Sequence, residues 1–377
     1  MPVSQKDKFI TWWEPAFGDE EAQAVADVVK GGFVNEGKLS DKFAEAVADF
    51  LGVKYALPTS NGTVSIFLAL KAAGVGPGDE VIVPGLSFIA TANAVVLTGA
   101  TPVFVDIKEH DLNLDVDLIE SSITQRTRVI MPVHINGRCA DMSAINKIAS
   151  KHQLAVVEDA AQALGSYSGK RALGTISDAG CISLAPTKII TAAQGGLVLT
   201  NREDIRDAVI RLKDHGRLSR SWNYHPEVGF NFKFNDVLAA IALIQVERLP
   251  HRLERAKQHF QLYKYELADI TQLNFIDTDL STGTVPLWVD VIMDGDREAF
   301  ISHMREQNID VRPFWPAMHI QDAYKSLKTP QLPVSEKMAE QGLWLPSGAG
   351  KTEQDIQRVI DEVKQYFTGL ESVGREL

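Results

Sequence analysis

The chain is short of cysteine, of long apolar runs and of positive charge, and each shortage removes a class of protein. Its 377 residues include two cysteines, Cys139 and Cys181, which form no CxxC pair. Neither a disulfide framework nor a cysteine-ligated metal site can be built from them, and no metal site is expected. No stretch approaches the roughly 18 uninterrupted apolar residues of a membrane-crossing helix. The polar, charged start of the chain is unlike a secretory leader, so a cytoplasmic location is expected. Lys and Arg number 38 against 49 Asp and Glu, a net charge of −11. That balance argues against nucleic acid or an acidic membrane as partner. A phosphorylated small molecule is still admissible, because a pocket can be locally basic on an acidic protein.

The length exceeds one compact core and suits about two domains of roughly 100–200 residues each. Up to Thr200, short apolar runs alternate with amphipathic stretches. Strands are expected at Tyr55–Pro58, Glu80–Val83, Thr101–Val105, Arg128–Val133, Leu154–Val157, Gly180–Leu184 and Gly196–Leu199. Helices are expected at Thr63–Ala73, Ala90–Leu97 and Ser143–Lys151. β-Branched runs bounded by Gly, Pro or Asp read as buried parallel strands, and their alternation with helices gives a sheet covered on both faces. A long helix is expected from Asp236 to about Leu267, broken or kinked at Pro250. Beyond it the texture changes. A strand is expected over Thr284–Met293, with Pro286 confining its start to a sheet edge. A helix follows over Arg297–Gln307, then a short strand at Asp310–Arg312 and an amphipathic helix over Thr352–Tyr366. The expected division is a large α/β domain over residues 1–251, N-terminal segment included, and a smaller α/β domain over 252–377.

Between Asp178 and Arg202 the sole charged side chain is Lys188, in Leu184-Ala185-Pro186-Thr187-Lys188-Ile189-Ile190. Such an ammonium either reaches water from a loop or works with a depressed pKa. In the second case its neutral amine is a nucleophile able to form a Schiff base. Asp159 follows the apolar run Leu154–Val157 and Glu158, at the edge where open α/β sheets bind ligands. There it reads either as a helix N-cap ahead of Ala160-Ala161-Gln162 or as the fixed carboxylate of a site. Thr59-Ser60-Asn61-Gly62-Thr63 joins an expected strand to an expected helix, and small residues there free N–H groups for a phosphate. Phe88, just past another strand end, is either a core residue or a ring that stacks on a planar ligand.

Taken in order, Asn61-Gly62-Thr63, Gly76–Pro84, Gly99–Asp106, Glu158–Ser166, Pro186-Thr187-Lys188 and Gly195-Gly196 resemble segments of the DegT/DnrJ/EryC1/StrS sugar aminotransferases. The resemblance runs nearly the whole chain. It implies a fold-type I pyridoxal-phosphate transferase of the α/β class, with a large, mixed but mostly parallel sheet and a smaller C-terminal α/β domain. It also implies roles. Lys188 would hold pyridoxal 5′-phosphate covalently and carry the proton between carbons. Asp159 would pair with the pyridine nitrogen, Gln162 would hydrogen-bond the ring hydroxyl, and Phe88 would stack on the ring. Gly62, Thr63 and Ser183 would hold the phosphate. Asn231, in Gly229-Phe230-Asn231-Phe232-Lys233, matches a position that reaches the phosphate from the neighbouring subunit, which implies a homodimer with shared active sites.

Within that family, Met131-Pro132-Val133-His134, Val228–Asn231 and Arg312-Pro313-Phe314 followed by Met318-His319 are most similar to C-4 aminotransferases of the perosamine-synthase type. The likeness implies L-glutamate as donor, pyridoxamine phosphate as the intermediate cofactor form, and a nucleotide-linked 4-keto-6-deoxy sugar as acceptor. Arg312 and His319 would lie near the sugar nucleotide; His319 also reads as a surface-loop histidine. The product would feed a surface polysaccharide, such as lipopolysaccharide O-antigen, or a glycosylated natural product. Three departures bear on the sugar pocket and leave the lysine's role intact. Leu184-Ala185 follow Ser183 where an aromatic is usual, Ala193-Gln194-Gly195-Gly196 replaces Gly-Glu-Gly-Gly, and Asn231-Phe232-Lys233 replaces Asn-Tyr-Arg. Other readings are amino transfer to a cyclitol or different keto sugar, and a regulator that binds the cofactor without turnover. A pyridoxamine-dependent sugar dehydratase is a further one, in which a histidine would replace the lysine.

Overall fold

In the computed structural model the described residues are 8–219 and 221–374. The strands in chain order are β1 (Tyr55–Thr59), β2 (Glu80–Pro84), β3 (Thr101–Val105), β4 (Thr127–Ile130), β5 (Ala155–Asp159), β6 (Tyr167–Ser168), β7 (Arg171–Ala172), β8 (Ala179–Ser183), β9 (Gly196–Thr200), β10 (Leu273–Phe275), β11 (Val289–Met293), β12 (Arg312–Pro313) and β13 (Gly342–Leu345). A seven-stranded sheet has the order β1-β9-β8-β5-β4-β2-β3. Its strands are parallel except β9, which runs against both neighbours. The sheet is thus mixed but mostly parallel, as expected, and β9 is its antiparallel member for a topological reason. A parallel return needs a crossover, usually a helix. Residues 184–195 carry none, so the chain comes straight back.

The second sheet, β10-β11-β13-β12, is wholly antiparallel. Only Val289–Met293 of the expected Thr284–Met293 strand enters it, and that strand is interior, flanked by β10 and β13. Pro286 therefore lies outside the ladder and constrains no edge. The long helix expected from Asp236 is two helices, Asp236–Glu247 and Leu249–Glu266, which turn at Arg248. Pro250 falls in the first turn of the second, where its missing N–H leaves no bond unmade. Near the start of the chain, Ile10 bridges Ile309 and Trp13 bridges Ser347, so this segment joins the region of the smaller sheet.

Two helices take their N-terminal caps from residues far away in sequence. Asp236 accepts hydrogen bonds from the Gly37 and Ser40 N–H groups (2.9 and 3.0 Å), at the start of the helix Lys38–Leu51. Asp106 accepts from Val334 and Ser335 N–H (3.0 and 2.8 Å), at the start of the helix Pro333–Gln341. Each buried carboxylate satisfies donors that a helix leaves without an internal partner, and places a negative charge at the favourable end of its dipole.

One buried ion pair links the neighbourhoods of the two sheets. Arg138 donates to Asp290 on β11 at 2.7 Å, with side-chain exposures of 4% and 3%. Loss of one partner strands the other charge in a dry interior. Asp290→Ala should cost about 3–5 kcal/mol in denaturant unfolding, and Arg138→Met with Asp290→Leu should recover most of it.

Candidate active site

Strands β1, β2, β5 and β8 point the same way and end at one sheet edge. The segments that leave those ends carry Gly62, Phe88, Gln162 and Lys188. A cavity of about 850 Å³ opens there, walled by Asn61, Gly62, Thr63, Phe88, Asp159, Gln162, Ser183 and Lys188 among others. Seven residues expected from sequence to hold a cofactor thus share one space.

The helix Gly62–Ala72 points its N-terminus at this cavity. Asn61 caps it, accepting the Val64 N–H through its side chain (2.9 Å) and the Ser65 N–H through its carbonyl (3.0 Å). The N–H groups of Gly62 and Thr63 remain for a ligand, at the positive end of the dipole. Glycine is required at 62 by space: a Cβ there would stand 2.8 Å from the Ser183 Cβ. Ser183 is thereby brought beside the helix start, with its hydroxyl on the same wall.

Adjacent carboxylates at the end of β5 face opposite ways, as strand alternation dictates. Glu158 turns from the cavity into a buried knot. It accepts from the N–H groups of Gly174, Ile176 and Ser177 (2.8, 2.7 and 2.7 Å) and from His134 Nε2 at 2.9 Å. The Ala140 N–H donates to His134 Nδ1 at 3.2 Å, which fixes the tautomer with its proton on Nε2. Asp159 turns into the cavity wall, where it accepts from the Thr91 hydroxyl at 2.8 Å and from the Ala161 N–H at 3.1 Å. No helix follows it, so the N-cap alternative falls. Burial raises the Asp159 pKa, opposed by Thr91, the Ala161 N–H and the charge of Lys188.

Burial pulls the Lys188 amine down to about 8, against the upward pull of Asp159. The two charges influence each other but form no ion pair. The Trp288 ring centroid lies 5.1 Å from Lys188 Nζ. Trp12, Trp288 and Trp315 all reach the cavity, from three distant stretches of chain. Their rings lie side by side, Trp12–Trp288 at 5.6 Å and Trp288–Trp315 at 5.4 Å between centroids. Phe88 continues this wall at 5.8 Å from Trp315; half exposed at 50%, it is not a core residue.

Gln162 lies on the wall with its Oε1 accepting from the Asn136 N–H at 2.9 Å. The remaining candidates lie elsewhere. Asn231 is exposed and away from the cavity of its own chain. Arg312 is exposed and donates to Asp310 at 2.9 Å. His319 is buried rather than on a surface loop, shares a hydrogen bond with Glu336 at 3.0 Å and lies off the cavity wall. The tryptophans, Thr91 and Asn136 were not signalled by the sequence; each acts through a contact that only the folded chain creates. Among the described residues no group of three or more His, Cys, Asp or Glu is placed to hold a metal. No helix there is long and apolar enough to cross a membrane.

A nucleophilic amine, a fixed carboxylate, a ring-stacking phenylalanine and a helix N-terminus around one cavity form a donor set that fits pyridoxal phosphate. Comparison with known proteins agrees. Residues 15–364 match the DegT/DnrJ/EryC1/StrS aminotransferase family. The chain is 39% identical to the GDP-perosamine synthase of Caulobacter vibrioides, over 88% of this chain and 91% of that one. It is 31% identical to the GDP-perosamine synthase of Vibrio cholerae, over 94% and 98% of the two chains. Among solved structures, the aminotransferase TlmJ from Streptoalloteichus hindustanus superposes with a TM-score of 0.91 at 29% identity, covering 96% of this chain and all (100%) of its own.

Two outcomes follow from this geometry. Gly62→Ala should weaken pyridoxal-phosphate binding at least about tenfold by displacing Ser183, read by fluorescence titration of cofactor-free protein. Lys188→Met should raise the melting temperature of cofactor-free protein at pH 7. A lysine depressed in the fold carries its full penalty below pH 8 and loses it as pH rises toward the unfolded value of 10.5. The advantage should be at most about 3 kcal/mol, less what solvent in the cavity returns, and should vanish above pH 10.5.

Proposed function

Because the chain belongs to the DegT/DnrJ/EryC1/StrS aminotransferase family, we propose that this pyridoxal-phosphate-dependent aminotransferase moves the amino group of L-glutamate to a nucleotide-linked 4-keto-6-deoxy sugar. The observation that carries the chemistry is Lys188, a half-buried lysine whose amine is pulled down to about 8 in the cavity it shares with Asp159. The GDP-perosamine synthases at 31–39% identity favour a GDP-linked acceptor.

Bound pyridoxal phosphate supplies an electron sink for the carbon that loses its proton. The chain's residues do the rest. Lys188 Nζ would hold the cofactor and, once free, would accept and return the proton of the reacting carbon as general acid and base. A pKa near 8 leaves a useful fraction of neutral amine at neutral pH. Asp159, held by Thr91 and Ala161, would present a fixed charge to the pyridine nitrogen. Gln162 would meet the ring hydroxyl and Phe88 the ring face. Gly62, Thr63 and Ser183 would receive the phosphate at the helix N-terminus.

The reading extends to a cytoplasmic homodimer. Asn231, exposed on its own chain, would complete the phosphate site of a second copy, and Arg312 and His319 would serve the sugar nucleotide. Residues 1–251 would form the cofactor domain and 252–377 the smaller one, with the segment around Ile10–Trp13 bridging from the first to the second. The product would enter surface-polysaccharide synthesis, O-antigen included.

The test is the visible absorbance of the lysine-bound cofactor before and after L-glutamate, with Lys188→Ala beside the wild type. Glutamate should convert the wild-type band to that of the pyridoxamine form and leave the variant without turnover, a loss of at least about 10³-fold. GDP-, UDP- and TDP-linked keto sugars should then restore the first band, the GDP sugar fastest. A wild-type band indifferent to glutamate would instead favour a binding protein without turnover.

A further inference from the structure

The segment that carries Lys188 is neither helix nor strand: β8 stops at Ser183 and β9 begins at Gly196. Locally, the Lys188 N–H donates to the Ala185 carbonyl at 3.0 Å. The two carbonyls just before the lysine have partners from remote chain. Trp13 Nε1 donates to Pro186 O at 2.8 Å, and Trp288 Nε1 donates to Thr187 O at 3.2 Å. We propose that Trp13 and Trp288 are positioning residues for Lys188, their indole N–H groups clamping successive carbonyls and so setting where the amine stands in the cavity wall.

Both tryptophans are themselves fixed. Trp288 is 2% exposed and Trp13 7%. Asn136 brackets the Trp288 backbone: its Nδ2 donates to Trp288 O at 2.7 Å, and its Oδ1 accepts from Trp288 N–H. Asn136 adopts a left-handed φ of 50°, which asparagine tolerates better than most residues. Its own N–H donates to Gln162, so one chain of hydrogen bonds runs from the cavity floor through Asn136 and Trp288 to the residue before Lys188. Trp13 is anchored from the other side through its bridge to Ser347. An indole N–H is a donor only, and buried it needs an acceptor, so neither ring can turn away without losing that bond. The face of Trp288 lies 5.1 Å from Nζ, so the same ring that holds the backbone also walls the amine.

This inference rests on Lys188 as the cofactor lysine, but its test uses cofactor-free protein and so is independent of which ketone accepts the amine. The experiment follows modification of Lys188 by a small amine-directed reagent as a function of pH, read on the Lys188 peptide by mass spectrometry. Two variants are compared with wild type: Trp13→Phe, and Trp288 replaced by benzothienylalanine, which keeps the bicyclic ring and substitutes sulfur for N–H. Release of the carbonyls should let the segment relax toward water and raise the midpoint from about 8 by about one pH unit. Labelling at pH 8 should then fall about fivefold, as the neutral fraction drops from about a half to about a tenth. Unmoved midpoints in both variants would overturn the proposal. A lower melting temperature with an unmoved midpoint counts the same way, since packing alone would produce it. Should Trp13→Phe fail to fold, the near-isosteric replacement at Trp288 decides.

Discussion

The structure turns on keeping two opposite charges near each other and apart. Lys188 and Asp159 share a cavity wall, each shifts the other's proton equilibrium, and they form no ion pair. In a poorly solvated interior the attraction between unlike charges is strong and collapse into contact would be favourable. It is prevented from both sides. Asp159 is pinned at the end of a central strand by the Thr91 hydroxyl and the Ala161 N–H. Lys188 is carried on a segment whose carbonyls are tied to Trp13 and Trp288. A planar cofactor between them would supply the charges that each lacks, which is why the separation is worth the structure needed to hold it.

That requirement accounts for the neighbours as well. Glu158 sits next to Asp159 in sequence and would take its place in the site if the strand slipped by one residue. Four hydrogen bonds hold Glu158 on the other face of β5, three of them from the backbone at 174–177. The register of the central strand is thus locked from the side opposite the cavity, and the choice of which acid meets the ligand is made there.

The sheet was legible in the sequence because its strands are buried β-branched runs with sharp punctuation, and the site because strand ends collect ligands. Local sequence says least wherever distant residues decide. Asp106 looks like an ordinary loop acid, and Asp236 like the plain start of its own helix, until helices some 200 residues away in sequence settle on them. Pro250 suggested the break between two helices, yet the turn falls at Arg248, since proline is comfortable in a first helical turn. The antiparallel β9 follows from the lack of any helix between Ser183 and Gly196, a pattern that local strand signals do not express. The tryptophan wall is similar: Trp12, Trp288 and Trp315 have no shared motif, and only the folded chain brings their rings into tilted and edge-to-face contact.

The departure at Gln194 gains meaning from the charge of the wall. Ala193 and Gln194 both face the cavity, whose lining holds one acid, Asp159, and one base, Lys188. On a chain of net charge −11 the cavity therefore has no surplus of positive side chains with which to attract a phosphate or a nucleotide. A glutamate at 194 would tilt that balance negative. Glutamine keeps the hydrogen-bonding reach and removes the charge. Anion recognition from this chain must then come from oriented dipoles, the Gly62–Ala72 helix above all, equivalent to about half a positive charge at its N-terminus. Half a charge is little against a phosphate of nearly two negative charges. The deficit gives a physical reason for the site to draw further donors from outside its own chain, as the exposed Asn231 of a second copy would provide.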